Sequence, residues 1–571
     1  MIIDHQCIAT EEFSGNDGLK HFEMDHEVDR SSLLPEHQQT KRKSTAEFSE
    51  FKRPISLWPL VALIFYGVSG GPFGIEDAVA AAGPFLAIIG YLVFPLFWSI
   101  PEALITAELS CAFPEASGFV AWVDEAYGPY WGFVEGYLSW LSGVADNALY
   151  PILFVDYLQE FLEYVGWASE DGVLAHGGVA RLPTVLGATL ALTFLSWRGL
   201  DVVGWASIAL AAATLLPFAV MALLGVALGK VNPEVWLTTL PGGILGGAVR
   251  WRRYLNIIFW NLNYWDSAAS FAGDVQNPSK TFPQGMVLAV FVVIIGIQVP
   301  LMVGLGSAKE DEDWSDWTDG YLTTAAARIG GAWLGGWVLL AAGGSAVGQF
   351  VAEMASDAFQ LMGMAERGML PAALSRRSRF GTPTLAYVLS ASGVILLSAF
   401  SFLEVIEILN FLYCWAQLLE FAAFISLRRK RMDLHRPYKI PVGTLGATLL
   451  LVFPTVTVVI MIAWSSFKTW MVGGSFMIFG LLMPKLMKFL SFHGVFEFIP
   501  EEERIQSSKT DCETKEKCGV SSTEERKNII EDHQQEDQQP FLIINQNHKQ
   551  QKSRDISYCP PTEVEESGNN S

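Results

Sequence analysis

Gly67-Val68-Ser69-Gly70-Gly71-Pro72-Phe73-Gly74 lies in the middle of an otherwise apolar run, residues 56–80, and its reading decides the fold. Gly costs about 1 kcal/mol and Pro about 3 kcal/mol inside a helix, so this cluster unwinds the chain. In lipid, freed backbone groups are tolerated only where they face protein or a watery cavity. Five spans further on, the run 255–275 contains a polar knot, Trp260-Asn261-Leu262-Asn263-Tyr264-Trp265-Asp266-Ser267. Corresponding interruptions in the two halves of a membrane chain point to a transporter's central site. The alternative at each is a kinked helix packed through small residues.

Composition says how far the membrane reading extends. The chain has 571 residues, 51% of them hydrophobic and 17% charged, and the charges crowd toward its ends. Residues 203–229, 286–308, 384–403 and 443–467 contain no charged side chain, each enough to cross a bilayer core about 30 Å thick. Hydropathy and turn residues together place twelve spans, at 56–80, 85–108, 130–164, 183–198, 203–229, 255–275, 285–307, 333–365, 384–402, 405–427, 443–466 and 470–488. The net charge of −21 sits mainly outside them. Residues 1–53 and 491–571 read as disordered polar tails around a transporter domain, 54–490. Nothing in them forms a basic patch suited to nucleic acid, and the polar start excludes a secretory signal peptide.

Orientation follows from Lys and Arg in short loops. Lys41, Arg42, Lys43, Lys52 and Arg53 precede span one; Arg367, Arg376, Arg377 and Arg379 follow span eight; Arg428 to Arg431, Arg436 and Lys439 follow span ten. An even span count puts these groups and both termini in the cytoplasm. Arg250, Arg252 and Arg253 disagree, falling in an external loop. The six Cys residues are scattered, and all nine His residues lie in tails or loops, so neither a disulfide framework nor a metal cofactor is expected. No nucleophile elbow or phosphate loop interrupts the spans, which argues against an enzyme.

Carboxylates inside spans carry the functional signal. Glu76 and Asp77 follow the first interruption, and Asp266 sits within the second. Glu102, Glu108, Glu135, Asp146, Asp156, Glu353 and Asp357 also fall in or near spans, with no Lys or Arg deep in the same segments. Each costs several kcal/mol in lipid and needs a partner, a proton or a cavity, so the excess predicts a path for cations. Glu102, Glu108 and Asp156 read as structural, near span ends and bonded to backbone. Asp266, Glu76, Asp146 and Glu353 are the candidates for holding a coupled proton. Trp260, Tyr264 and Trp265 can present ring faces to an alkylammonium group. The acidic stretch Glu310–Asp319 reads either as a funnel for cations or as a solvated loop.

Over most of residues 54–490 the sequence resembles the amino acid–polyamine–organocation transporters. Gly67–Gly74 looks like their first-span break, and Ala107-Glu108-Leu109 with Pro114, Ser117-Gly118 and Trp122 looks like the segment after span two. Asp274, Asn277-Pro278-Ser279-Lys280 and Pro283 resemble the close of span six. Gly368-Met369-Leu370-Pro371 and Gly381-Thr382-Pro383 resemble the loop after span eight. Ser69–Glu76 and Asn263–Asp266 look most like the plant polyamine uptake transporters. The resemblance implies an all-α membrane protein with a LeuT-like five-plus-five inverted repeat, about twelve transmembrane helices, and helices one and six broken. It implies substrate contacts from Ser69, Gly70 and Gly71, an aromatic gate at Trp260, and Asp266 where bacterial exchangers carry a glutamate. Span five lacks a Lys, so the amine of some proton-coupled relatives has no counterpart. Residues 165–182 lack the Cys that ties animal relatives to a heavy chain, so no such partner is expected.

The function this predicts is proton-coupled import of spermidine, spermine or putrescine across the plasma membrane or an internal membrane. Asp266 and Glu76 would pair with substrate amines and the aromatics would enclose the alkyl chain. The alternative is an amino acid exchanger of the same superfamily, with a sensor role for the tails as a possible addition.

Overall fold

The computed structural model of the chain describes residues 53–500 apart from 170–171, 176–177, 245, 310 and 399–401, and omits the side chains of 402–403. The tails, save Arg53 and residues 491–500, lie outside the described residues, as does Glu310.

Helix dominates, and no strand occurs among the described residues beyond two isolated bridges. The first apolar runs become α1 (Leu57–Val68), α2 (Glu76–Ala82), α3 (Pro84–Phe97) and α4 (Ser99–Ala112). After α5 (Phe119–Tyr127) come α6 (Pro129–Asn147), α7 (Tyr150–Tyr164), α8 (Arg181–Trp197), α9 (Leu200–Ala227) and α10 (Trp251–Trp260). A 3-10 segment, Trp265–Asp274, leads to α11 (Pro278–Gly306), α12 (Tyr321–Gly330) and α13 (Ala332–Glu366). The chain continues through α14 (Thr384–Leu397), α15 (Phe402–Lys430), α16 (Thr444–Leu450), α17 (Val452–Trp464) and α18 (Phe467–Phe492). Proline in the first turn of α3, α6, α7 and α11 fixes their starts without losing an intrahelical hydrogen bond. Ser466 caps α18 by accepting from the Thr469 N–H at 3.2 Å.

Among the described residues, eight helical stretches are long and apolar enough to cross a membrane, and α1 and α14 are shorter apolar helices. The chain is a multi-pass membrane protein. Each stretch falls on a span placed from hydropathy, with five placed spans subdivided: α1/α2, α3/α4 at Trp98, α6/α7 at 148–149, α10 and the 3-10 segment, and α16/α17 at Leu451. The helices α5 and α12 were not placed, because each is too short and too mixed in polarity to read as a span.

The long helix α13 is the mast. It packs against α1, α6, α7, α8, α9, α12, α14 and the 3-10 segment, and its most apolar window is 67% buried against 6% for α18 at the periphery. Small residues allow this. A Cβ built on Gly363 would lie 2.3 Å from the Ser117 backbone nitrogen, and one on Gly348 would lie 2.4 Å from the Tyr66 ring. Close helix approach through small residues is how membrane bundles gain dispersion contact.

Basic side chains cluster at one end of the bundle. Arg428 is buried beside Glu108, with which it pairs, and Arg436 Nε stands 3.3 Å from the same carboxylate. Arg367 pairs with Asp124 at 2.5 Å and Glu115 at 2.7 Å, and Arg377 pairs with Asp274 at 2.9 Å. Beside that last pair, Ile55 donates its N–H to the Asp274 carbonyl at 3.1 Å. The discordant basic loop has a local explanation. Arg250 donates to the Ala80 and Ala81 carbonyls that end α2, at 2.6 and 2.8 Å. Arg253 pairs with Asp77 at 2.9 Å, and Arg252 with Glu407 at 3.2 Å. Cations are favourable at a helix C-terminus, where Arg250 stands, and Arg252 and Arg253 hold ion pairs, so these arginines report local partners rather than topology.

Candidate functional site: an acidic cavity between two interruptions

Glycine builds the first interruption. α1 stops at Val68 and α2 starts at Glu76, and between them Gly70, Gly71 and Gly74 take φ of +61°, +118° and +74°. The freed backbone groups find partners, as burial requires. Ser69 and Gly70 N–H groups both donate to the Phe65 carbonyl at 3.0 Å. Ser345 Oγ donates to the Gly70 carbonyl at 2.7 Å, and Gly74 N–H donates to Asp319 Oδ1 at 3.2 Å.

Tyr264 builds the second. It takes φ of +62° between α10 and the 3-10 segment, a conformation costing a residue with a Cβ about 1–2 kcal/mol. Hydrogen bonds surround it. Its N–H donates to Tyr413 Oη at 3.0 Å, its hydroxyl lies 2.5 Å from Ser142 Oγ, and its carbonyl accepts from Ser267 Oγ at 2.8 Å.

A cavity opens beside this turn. Its walls are Tyr264, Asp266 and Ser267; Glu353, Ser356, Asp357 and Gln360 of α13; Ser139 and Gly143 of α6; Phe119 of α5; and Tyr413 of α15. Three carboxyl groups and no Lys or Arg line it. Ser356 Oγ donates to the Ser267 carbonyl at 3.1 Å and meets Ser270 Oγ at 2.9 Å, fixing α13 against the 3-10 segment.

Four of the residues singled out from sequence share this lining: Tyr264, Asp266, Glu353 and Asp357. Asp146 stands one step behind. The Tyr150 hydroxyl lies 2.9 Å from Glu353 Oε1 and 3.1 Å from Asp146 Oδ2, while Trp260 Nε1 donates to Asp146 Oδ1 at 2.8 Å. The Trp260 indole also covers the first interruption, since a Cβ on Gly74 would sit 2.8 Å from its Cζ3. Trp260 thereby connects the two breaks. Ser69, Gly70 and Gly71 are outside the lining, with Gly71 N–H turned to Ser69 Oγ at 3.4 Å. Trp265 is buried and donates its indole N–H to the Leu262 carbonyl at 2.8 Å, within its own turn. Glu76 belongs to a separate group. Leu322 N–H donates to its Oε1 at 3.4 Å, and neighbouring Asp319 accepts from the Tyr157 hydroxyl at 2.8 Å.

Sequence reasoning missed the acids behind Asp266. The Tyr413 hydroxyl lies 2.7 Å from Asp266 Oδ1, makes a second contact with Glu102 Oε1, and accepts from Gln417 Nε2 at 3.0 Å. Glu102, expected to be bonded to backbone, does take the Asp266 N–H, and it faces the Tyr413 hydroxyl and the Asp266 carboxyl as well. Glu108 and Asp156 do have fixed partners, Glu108 in Arg428 and the Ile440 N–H at 2.9 Å, Asp156 in Arg181. Glu420, which also reaches Asp266, was overlooked. The available signal was the spacing of Tyr413, Gln417 and Glu420, which puts three polar groups on one face of an apolar span.

Residues 55–482 match the family described as amino acid permease. The chain is a member of that family. This permease is 51% identical over 438 residues to a polyamine transporter of Oryza sativa subsp. japonica, covering 77% of this chain and 79% of the relative. It is 48% identical over 451 residues to a probable polyamine transporter of Arabidopsis thaliana, covering 79% and 90%. A further Arabidopsis thaliana protein, named as a polyamine transporter, is 47% identical over 446 residues, covering 78% and 88%. Family and relatives alike are named for transport, so the permease is a membrane transporter and not an enzyme.

Proposed function

We propose that this permease imports polyamines (spermidine, spermine or putrescine) together with protons, by alternating access. The observation that carries the reading is the cavity itself, with Asp266, Glu353 and Asp357 in its wall and no basic residue beside them. Such a wall suits a chain bearing two or more ammonium groups and repels a carboxylate. An amino acid would bring its own carboxylate against those acids, which weighs against the exchanger alternative. The names of the plant relatives support the same cargo. Tyr264 and Phe119 offer ring surface to the methylene segments, and the Trp260 indole over Gly74 suits a gate. In this reading Ser69, Gly70, Gly71 and Glu76 meet the substrate on its way in. Asp266, with Asp146, Glu353 and Glu76 as further candidates, takes part in proton coupling.

The proposal extends to a five-plus-five inverted repeat with interruptions in its first and sixth spans, both termini in the cytoplasm, and residence in the plasma membrane. The cluster of Arg367, Arg377 and Arg428 at one bundle end supports that sidedness. Purified protein in liposomes tests the function. Labelled spermidine uptake that rises with an inward proton gradient and collapses with a protonophore is expected. Uptake of leucine or arginine, with none of spermidine, would replace this reading by the exchanger.

A further inference from the structure

Asp266 is the middle of three carboxyl groups. Glu102 and Glu420 each lie within hydrogen-bonding reach of it, from α4 and α15 respectively, and all three residues are at most 3% exposed. A contact between two carboxyl oxygens is a hydrogen bond only if a hydrogen lies between them. The trio has two such contacts. Tyr413 cannot supply both hydrogens. Its oxygen already accepts from the Tyr264 N–H and from Gln417 Nε2, and its single O–H faces Asp266 and Glu102 together. The other donors each reach a single carboxyl group, Gln417 Nε2 donating to Glu420 Oε1 at 3.4 Å and the Asp266 N–H to Glu102, and Glu102 Oε2, on a residue 2% exposed, has no hydrogen-bond partner among the described residues. Glu135 faces the trio from α6 and adds a further carboxyl, its Oε1 accepting from Ser139 at 2.7 Å and its Oε2 without a partner.

We propose that Glu102, Asp266 and Glu420 form the proton-carrying site of this permease, a clasp closing α4 and α15 onto the 3-10 segment while each carboxyl–carboxyl contact holds a proton. Loss of those protons sets like charges against one another in apolar surroundings and opens the clasp. The step moves only protons: an O–H bond of one carboxyl breaks as one forms to water on the side to which the cavity is open. Substrate occupies the cavity beside Glu353 and Asp357, and Asp266, which stands in the same wall, joins the cargo seat to the proton seat so that the two load together, as symport demands. Tyr413 is a positioning residue that holds Glu102 and Asp266 in register. The proposal rests on the polyamine reading and names the proton seat within it.

The test uses the full chain in liposomes with two assays. One measures exchange of labelled external spermidine for unlabelled internal spermidine at equal pH, which requires only the loaded carrier. The other measures accumulation in vesicles without internal spermidine under an inward proton gradient, which requires the carrier to return deprotonated. An amide at Glu420 or Glu102 keeps a hydrogen for the contact and never releases it. Glu420→Gln and Glu102→Gln are therefore expected to exchange spermidine, which also reports correct folding, and to lose gradient-driven accumulation. Either variant accumulating spermidine as the unmodified protein does overturns the clasp. So does loss of exchange together with accumulation, since the carboxyl would then belong to cargo binding or folding. Failure of the unmodified protein to exchange spermidine overturns the polyamine reading instead, and the clasp as framed for that cargo falls with it.

Discussion

Gly70 combines a φ of +61° with a packed flank, since a Cβ built on it would lie 2.4 Å from Cδ of Gln349. Gly70→Ala is expected to cost about 1–2 kcal/mol in backbone strain plus the clash, read as a lowered thermal midpoint and lost uptake. Adding Gln349→Ala relieves the clash alone, so the double variant should regain part of the midpoint. Trp260 carries a different load. Trp260→Phe retains the ring and removes the donor to Asp146, a charge-assisted bond worth about 1.5–3 kcal/mol; substrate affinity should fall with little change in expression. At this scale the sequence was partly legible. Asp266 and Tyr264 stood out because polar residues in an apolar run are costly, and both line the cavity. Trp265 stood out for the same reason and turned away, because an indole N–H within a tight turn is satisfied most readily by that turn. Glu420 was hidden by distance along the chain, since its partner lies in another span.

The spans were legible as elements because hydropathy alone forces them. The docking of the loop Asp311–Asp319 was not, because its acidic composition suggested a cation funnel or a solvated loop and no contact with the spans. In the structure Asp319 reaches back into the first interruption, accepting from Gly74 N–H and from the Tyr157 hydroxyl, while Trp317 is fully buried. Burial pushes the Asp319 carboxyl from its ordinary 3.8 up to about 6, against the Tyr157 hydroxyl that holds it down, and the nearby Asp77 adds to the rise. A carboxyl raised on docking favours docking in its protonated form. The docked loop is therefore most secure below pH 3.8 and loosens as pH rises through about 6. A spin label on Ser315→Cys, an exposed site in this loop, should report greater mobility at neutral than at acidic pH. Adding Asp319→Asn should abolish that dependence; a pH response unchanged by the substitution would refute the assignment.

Across the whole molecule, charged contacts fasten one end of the bundle. Arg377 with Asp274, beside the Ile55–Val275 bridge, fastens the end of the 3-10 segment to the chain entering α1 and to the loop after α13. Arg377→Ala is expected to loosen that end, so that Ser356→Cys in the cavity wall reacts faster with a thiol reagent supplied from the side bearing Arg377. An unchanged rate would show that other contacts hold the end shut. The basic loops pointed to that end from the sequence; what they grip became visible only in three dimensions, because each ion pair joins distant segments. Glu108 and Arg428 are the deepest of these. Arg428→Met leaves Glu108 buried with Arg436 and the Ile440 N–H. Breaking one side of a buried pair costs about 3–5 kcal/mol, so the thermal midpoint should drop sharply. Glu108→Gln added to it should recover part of the loss.

The same pair sets a timetable for biogenesis. Glu108 and Arg428 are 320 residues apart, and chains grow at about 5–20 residues per second. Glu108 thus enters the membrane tens of seconds before its partner exists. Until α15 follows, the half-made permease carries an acid without its partner, and the arrival of Arg428 lets the end of α4 close against α15 before α16 to α18 are added.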